Sequence, residues 1–245
     1  MRDRNLLYVI FILVILGTFL LMNKSYYLRE KYPKVWAHRV NDLDEVVNKA
    51  RKFKGVEVDL YFSEYDNCFY VAHDAEDTIK KVSFSSWLSK LSRRKRKNTY
   101  YWLDIKNLSI DNVASSCEKL HELEEKYEIK DLFWVESYVI DALEIVKKDS
   151  FKILLWVDNL AWNPEMDEAT WYEITKERVE RLNPDGLSCE FSMYPLLTDS
   201  FPEENIFFWH TPADFTPKNV AYTQKLCREN AVKAVLVDYD NLIKY

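Results

Sequence analysis

From residue 35 to the C-terminus, the hydrophobic pattern switches repeatedly between two periods. Short apolar runs, rich in β-branched and aromatic residues, alternate with segments whose apolar positions recur at helical spacing. The runs predict strands at 35–39, 55–63, 68–73, 99–106, 131–137, 151–158, 185–192, 205–210 and 232–239. The intervening segments predict helices at 41–53, 83–92, 109–127, 138–148, 168–182 and 216–229. The first helix carries a start signal at Asn41-Asp42 and an apolar set at Leu43, Val46, Val47 and Ala50. The helix over 109–127 opens at Ser109 and puts Val113, Cys117, Leu120 and Leu123 on one side.

The strand at 68–73 reads as a hairpin partner of 55–63, which leaves eight others. Mostly apolar strands separated by helices predict a parallel sheet covered by helices. Eight such repeats predict an α/β fold of the (β/α)8 TIM-barrel type rather than an open doubly wound sheet. A barrel places its site at the C-terminal ends of its strands.

The N-terminus differs in kind. Residues 1–5 are polar and basic, and residues 6–22 are apolar apart from Gly17 and Thr18. At ~1.5 Å per residue this run reaches about 26 Å, enough to span a bilayer core. A cleaved signal peptide is the alternative, but Leu20-Leu21-Met22-Asn23-Lys24 offers no small residues for cleavage. The expected organisation is a single-pass membrane anchor over 1–23, a linker over 24–34 and a barrel over 35–245. Arg2 and Arg4 flank one end of the run; Lys24, Arg29, Lys31 and Lys34 flank the other. The barrel is expected on the extracytoplasmic side.

Composition narrows the function. The 245 residues suffice for one large core, and the net charge of −6 excludes broad nucleic-acid binding. Only 3 glycines occur, so no Gly-rich phosphate loop is present. Cys68, Cys117, Cys189 and Cys227 show no C-x-x-C spacing, which argues against a structural zinc site or a disulfide scaffold. The basic run at 93–98 reads as a solvated loop or as a contact for anionic lipid head groups.

The candidate chemistry lies at strand ends. Glu57 and Asp59 are two apart on one strand, so they project to one face; Asp104 and Lys106 do the same on another. Converging carboxylates make a hard, oxygen-rich site suited to one divalent cation, Mg²⁺ or Ca²⁺. Alternatively, Lys106 pairs with Asp104 or Glu57 and no metal is held. His38 and His73 end strands that neighbour the Glu57/Asp59 strand, and a histidine pair can serve as general base and general acid near neutrality. His210 is a weaker candidate, His121 looks incidental, and Trp209 is placed to line a pocket. Glu136 and Glu190 would suit a glycosidase, a reading that leaves both histidines without a role.

His38-Arg39, then Glu57-x-Asp59, then His73-Asp74, resembles the glycerophosphodiester phosphodiesterases of the phospholipase C-like barrel superfamily. Leu103-Asp104-Ile105-Lys106, Ser137-Tyr138, Trp209 and Asp238 resemble later motifs of that family. It departs from the family in four places: Val40 stands where the family has Gly, Asn41-Asp42-Leu43 replaces its Pro-Glu-Asn-Thr stretch, Asp66-Asn67 replaces its Asp-Gly turn, and Asp104 stands where it usually has Glu. Trp36-Ala37-His38 with Val40-Asn41 also resembles the menorin-like proteins, a divergent branch of the same superfamily. The resemblance implies a phosphodiester hydrolase in which Glu57, Asp59 and Asp104 hold the cation and His38 and His73 are catalytic. Arg39, Lys106 and Trp209 would contact a small-molecule or lipid phosphodiester. A barrel that has lost catalysis and binds a head group or a protein partner is the alternative.

Overall fold

The computed structural model describes residues 29–210 and 216–238. The expected anchor therefore lies outside the described residues. Among the described residues, no helix is long and apolar enough to cross a membrane.

Nine strands form one sheet: β1 (Val35–Ala37), β2 (Gly55–Ser63), β3 (Cys68–Val71), β4 (Tyr100–Ile105), β5 (Phe133–Ser137), β6 (Lys152–Trp156), β7 (Gly186–Glu190), β8 (Ile206–Trp209) and β9 (Val232–Val237). Eight of them run parallel in the order β1-β9-β8-β7-β6-β5-β4-β2, and a β1–β2 pairing at Ala37 and Val56 closes the barrel. β3 stands outside the ring, antiparallel to β2, with Leu60 opposite Val71 and Ser63 opposite Cys68. This is the expected barrel with its expected hairpin.

The helices are α1 (Val46–Lys52), α2 (Phe84–Ser89), α3 (Arg93–Arg96), α4 (Val113–Tyr127), α5 (Ile140–Lys148), α6 (Glu168–Leu182), α7 (Tyr194–Ser200) and α8 (Pro217–Leu226). Two expectations change. The run at 93–98 is not a plain loop, because Ser92 accepts a hydrogen bond from the Lys95 amide and starts α3. The guanidinium of Arg96 folds back to donate to the carbonyls of Leu88 and Leu91. Helix α1 begins at Val46 rather than at Asn41, because Asn41 is committed elsewhere.

Strand alternation sorts the side chains into two cores. Val56, Val58, Leu60, Leu103, Ile105 and Val135 point outward under the helices and are fully buried. Each such side chain removed from water contributes about 1.5–3 kcal/mol. The inward positions form a second cluster of Trp36, Trp102, Leu154, Phe207, Ala234 and Leu236, with Tyr100, Trp134 and Trp209 packed against it. Trp36 stacks on Tyr100 at 5.6 Å and meets Phe207 edge-on at 6.1 Å.

Glycine makes room for these rings. A Cβ at Gly55 would stand 2.1 Å from Cδ2 of Trp36, and one at Gly186 would stand 2.5 Å from Cε2 of Phe207. Two of the chain's 3 glycines thus occupy inward positions where any side chain would collide with an aromatic ring.

Residues 29–34, the end of the expected linker, pack on the N-terminal face of the barrel, its floor. Arg29 is buried and donates to the carbonyls of Ala50 (2.6 Å), Phe53 and Asn98. Burial pulls its guanidinium below the ordinary value.

Candidate active site

Above the aromatic layer, the inward positions change from apolar to charged. Glu57 and Asp59 of β2, Asp104 of β4 and Glu136 of β5 follow Gly55, Trp102 and Trp134 at two-residue steps. Register brings them level: Asp59 lies opposite Asp104, and Asp104 opposite Glu136. A cavity at the mouth is lined by these four carboxylates together with His38, Arg39, His73 and Lys106. Its apolar wall comes from Trp102, Tyr138, Trp156, Trp209 and Leu236. The structure therefore brings all eight sequence-derived site residues together: His38, Arg39, Glu57, Asp59, His73, Asp104, Lys106 and Trp209.

Glu57, Asp59 and Asp104 each offer a carboxylate oxygen within 4.8 Å of the others. Lys106 is their internal counter-charge, with Nζ 2.9 Å from Oδ1 of Asp59 and 2.5 Å from Oδ2 of Asp104. One ammonium does not balance three carboxylates. Burial, then Asp59 and Asp104, push the Glu57 carboxyl well above its ordinary range. Burial also raises Asp104, against the pull of Lys106. Burial acts upward on Asp59 too, but Lys106 and Asn41 outweigh it and hold Asp59 low. Oδ1 of Asp104 is buried with no hydrogen-bond partner. The donor set, its excess negative charge and this orphaned acceptor fit a hard divalent cation.

The acids are held by a small set of bonds. The Arg39 amide donates to Oε2 of Glu57 at 2.6 Å. Arg39 makes that bond from the left-handed region, at φ 49°, a conformation that costs a non-glycine residue roughly 1–2 kcal/mol. Asn41 clamps Asp59 from both sides: its Nδ2 donates to Oδ2 at 2.6 Å, and its Oδ1 accepts the Asp59 amide at 3.1 Å. Trp102 Nε1 donates to Oε2 of Glu136 at 2.9 Å. Burial and the nearby Asp104 raise Glu136 to about 8.

The histidines reach the cavity from different elements and sit in different environments. His38 follows β1 immediately; its side chain is 11% exposed, with Nδ1 3.0 Å from Oδ1 of Asp238 and Nε2 3.9 Å from Oε2 of Glu57. His73 arrives through the β3 hairpin, is 44% exposed and has Nδ1 3.1 Å from Oδ2 of Asp74. Trp209 completes the wall and packs against Trp162 at 5.3 Å.

Other candidates fall away from the cavity. Glu190 accepts from the Ser192 amide at 2.8 Å and caps the turn after β7. His210 lies 3.5 Å from Glu190 and packs on Phe191. His121 lies on α4, stacked on Phe151. Glu136 lines the cavity and Glu190 does not, so the cavity does not bring these two carboxylates together as a pair.

No protein-family model matches this chain, and no curated protein sequence matches it. Solved structures do. A glycerophosphodiester phosphodiesterase from Parabacteroides distasonis is similar with TM-score 0.59 and 15% identity, over 84% of this chain and 92% of that one. A phosphodiesterase from Oleispira antarctica, solved with the product sn-glycerol-3-phosphate, is similar with TM-score 0.60 and 17% identity, over 88% and 96%. A glycerophosphodiester phosphodiesterase from Agrobacterium tumefaciens is similar with TM-score 0.53 and 12% identity, over 85% and 97%. The chain shares their barrel fold along nearly its whole described length.

Proposed function

We propose that this chain is a metal-dependent phosphodiester hydrolase acting on a glycerophosphodiester or another small, phospholipid-derived phosphodiester. The observation that carries the reading is one cavity in which two histidines flank three converging carboxylates. The shared barrel fold and the product bound in the Oleispira antarctica structure support the substrate class.

Glu57, Asp59 and Asp104 would hold one Mg²⁺ or Ca²⁺, which when bound supplies positive charge to a phosphate oxygen. The chain's own residues do the rest. Arg39 and Lys106 offer cationic donors to the phosphate, and Arg39 is the better suited to a bidentate contact. One histidine takes a proton from the attacking hydroxyl, either a neighbouring substrate hydroxyl or water. The other gives a proton to the leaving alkoxide. Assistance of this kind is worth about 10²–10⁴-fold per group. Trp209, Trp156 and Tyr138 supply an apolar wall for the part of the substrate beyond the phosphate. Attachment of the barrel to a membrane through residues 6–22, on the extracytoplasmic side, belongs to the same proposal.

The test is a panel of phosphodiesters assayed with and without divalent ions, using the parent chain, His38→Ala and His73→Ala. Each variant should lose turnover while keeping the parent's thermal midpoint. Full activity in either variant on every cleaved substrate would sink the acid–base roles. A second reading, a barrel that binds a head group without catalysis, draws on Lys106, which already sits between Asp59 and Asp104 as a built-in cation. Head-group binding that is insensitive to chelator, with no turnover on any diester, would favour it.

A further inference from the structure

The face opposite the cavity carries a different chemistry. Residues 49–54 hold Lys49, Arg51, Lys52 and Lys54, and residues 90–97 hold Lys90, Arg93, Arg94, Lys95, Arg96 and Lys97, with no acid in either segment. The fold brings the two segments together at the floor, where the Tyr100 amide donates to the Lys54 carbonyl at 3.0 Å and Arg29 bridges Ala50, Phe53 and Asn98. Some of this charge is spent internally: Arg93 and Lys97 pair with Glu128, and Arg96 turns inward. Among the described residues, Arg51, Lys54, Arg94 and Lys95 make no ion pair with a carboxylate, and Arg51 donates only to Oδ1 of Asn48. The crowding shows on Lys95, whose ammonium is lowered by burial and then by Arg29, Arg94 and Arg51.

The chain reaches the described domain at this same face. Arg29 is its first described residue and is fixed to the floor. Six residues, 23–28, separate it from the apolar run at 6–22. Fully extended, the seven steps from Met22 to Arg29 reach no more than ~25 Å. A bilayer that receives the apolar run therefore meets the floor and not the mouth.

We infer that the basic floor formed by Arg51, Lys54, Arg94 and Lys95 seats this domain on an anionic lipid bilayer, so that the cavity opens away from that membrane into water. The charge is complementary to acidic head groups, and each cation at such a surface strengthens binding about five-fold. The surface field fades within about 8 Å at physiological salt, so it does not reach the cavity at the other end of the barrel. In this orientation the domain takes its diester from the aqueous phase, not from the leaflet beneath it.

Hydrogen exchange of the full chain tests this, with vesicles of phosphatidylcholine alone and with vesicles that also contain phosphatidylglycerol. Amides of 49–54 and 93–98 should slow only on the anionic vesicles, and added salt should reverse the effect. Arg51→Gln with Arg94→Gln and Lys95→Gln should abolish the slowing, a loss of about a hundred-fold in affinity from three cations. A single Arg94→Gln, with a smaller loss, covers the case in which the triple variant folds poorly. Slowing at the rim segments 138–139 and 160–162 instead would overturn the orientation. So would equal slowing on neutral vesicles, or slowing by single-stranded RNA without any response to vesicles.

Discussion

Replacing Lys106 with Met asks whether the carboxylate cluster is a cation site or a self-neutralised core. In the parent, Nζ lies 2.9 Å from Asp59 and 2.5 Å from Asp104, and the side chain is 15% exposed. At an effective dielectric near 20, a pair about 3 Å apart attracts by roughly 5 kcal/mol before desolvation is subtracted. Removing one partner of such a buried pair typically costs about 3–5 kcal/mol, because the other charge is left uncompensated. For a chain of this size that is a fall in thermal midpoint of about 6–20 °C. Met fills much of the vacated volume, so the loss is electrostatic rather than a cavity effect. A divalent ion at 100 times its dissociation constant returns about 2.7 kcal/mol. The assay is thermal unfolding in chelator and then across a Mg²⁺ or Ca²⁺ titration, for parent and Lys106→Met. The variant should be far less stable in chelator and should gain more than the parent as ion is added. Adding Asp59→Asn should restore part of the stability without ion, since Asp59 is the carboxylate that Lys106 holds low. A variant as stable as the parent in chelator, or an ion response no larger than the parent's, would refute both the charge imbalance and the cation site.

Three further outcomes are expected. Gly55→Ala should lower stability by about 1–3 kcal/mol from overpacking against Trp36, although Ala is the better strand residue; a denaturant midpoint at or above the parent's would remove the crowding inferred from the 2.1 Å approach. Asn41→Ala should cost about 1.5–3 kcal/mol for the bond to the charged carboxylate, and the acid limb of the activity profile should move up in pH as Asp59 loses a donor that holds it low; an unmoved limb would detach Asn41 from the chemistry. Glu128 is held down to about 2 by Arg93 and Lys97, against an ordinary value of 4.5. A depressed carboxyl stabilises above its unfolded value and loses that contribution as pH falls through its folded one. Glu128→Gln should therefore be less stable than the parent at neutral pH and indistinguishable from it near pH 2 in urea titrations, and a pH-independent gap would contradict the pairing.

Much of this site was legible because strand geometry is local. Two-residue spacing put Glu57 with Asp59, and Asp104 with Lys106, on common faces before any fold was known. Carried further, the same alternation reaches Trp102, Glu136 and Trp156, so those cavity residues had a signal in the sequence. What could not be read depends on closure. Asp238 meets His38 only because β9 pairs with β1, an adjacency 200 residues apart in sequence. Asn41 was misleading for a related reason: Asn before an apolar run signals a helix start, but here a buried carboxylate across the turn competes for the same side chain and wins. The 93–98 run read as a loop because charge alone carries no register; the Ser92 cap and the inward turn of Arg96 supplied it.

The aromatic packing inside the barrel has a consequence for traffic. Trp36, Trp102, Leu154 and Phe207, each no more than 4% exposed, close the axis beneath the carboxylates. The site is a blind cup with one door. If the proposed function holds, an incoming diester and both halves of a cleaved one would use the same opening, and neither half could be pushed out below while the next molecule arrived above. On the proposed function, turnover in such a vessel would be a matter of queueing: the piece that lingered on the cationic donors would keep the next substrate waiting, and product would compete directly with substrate for an empty cup.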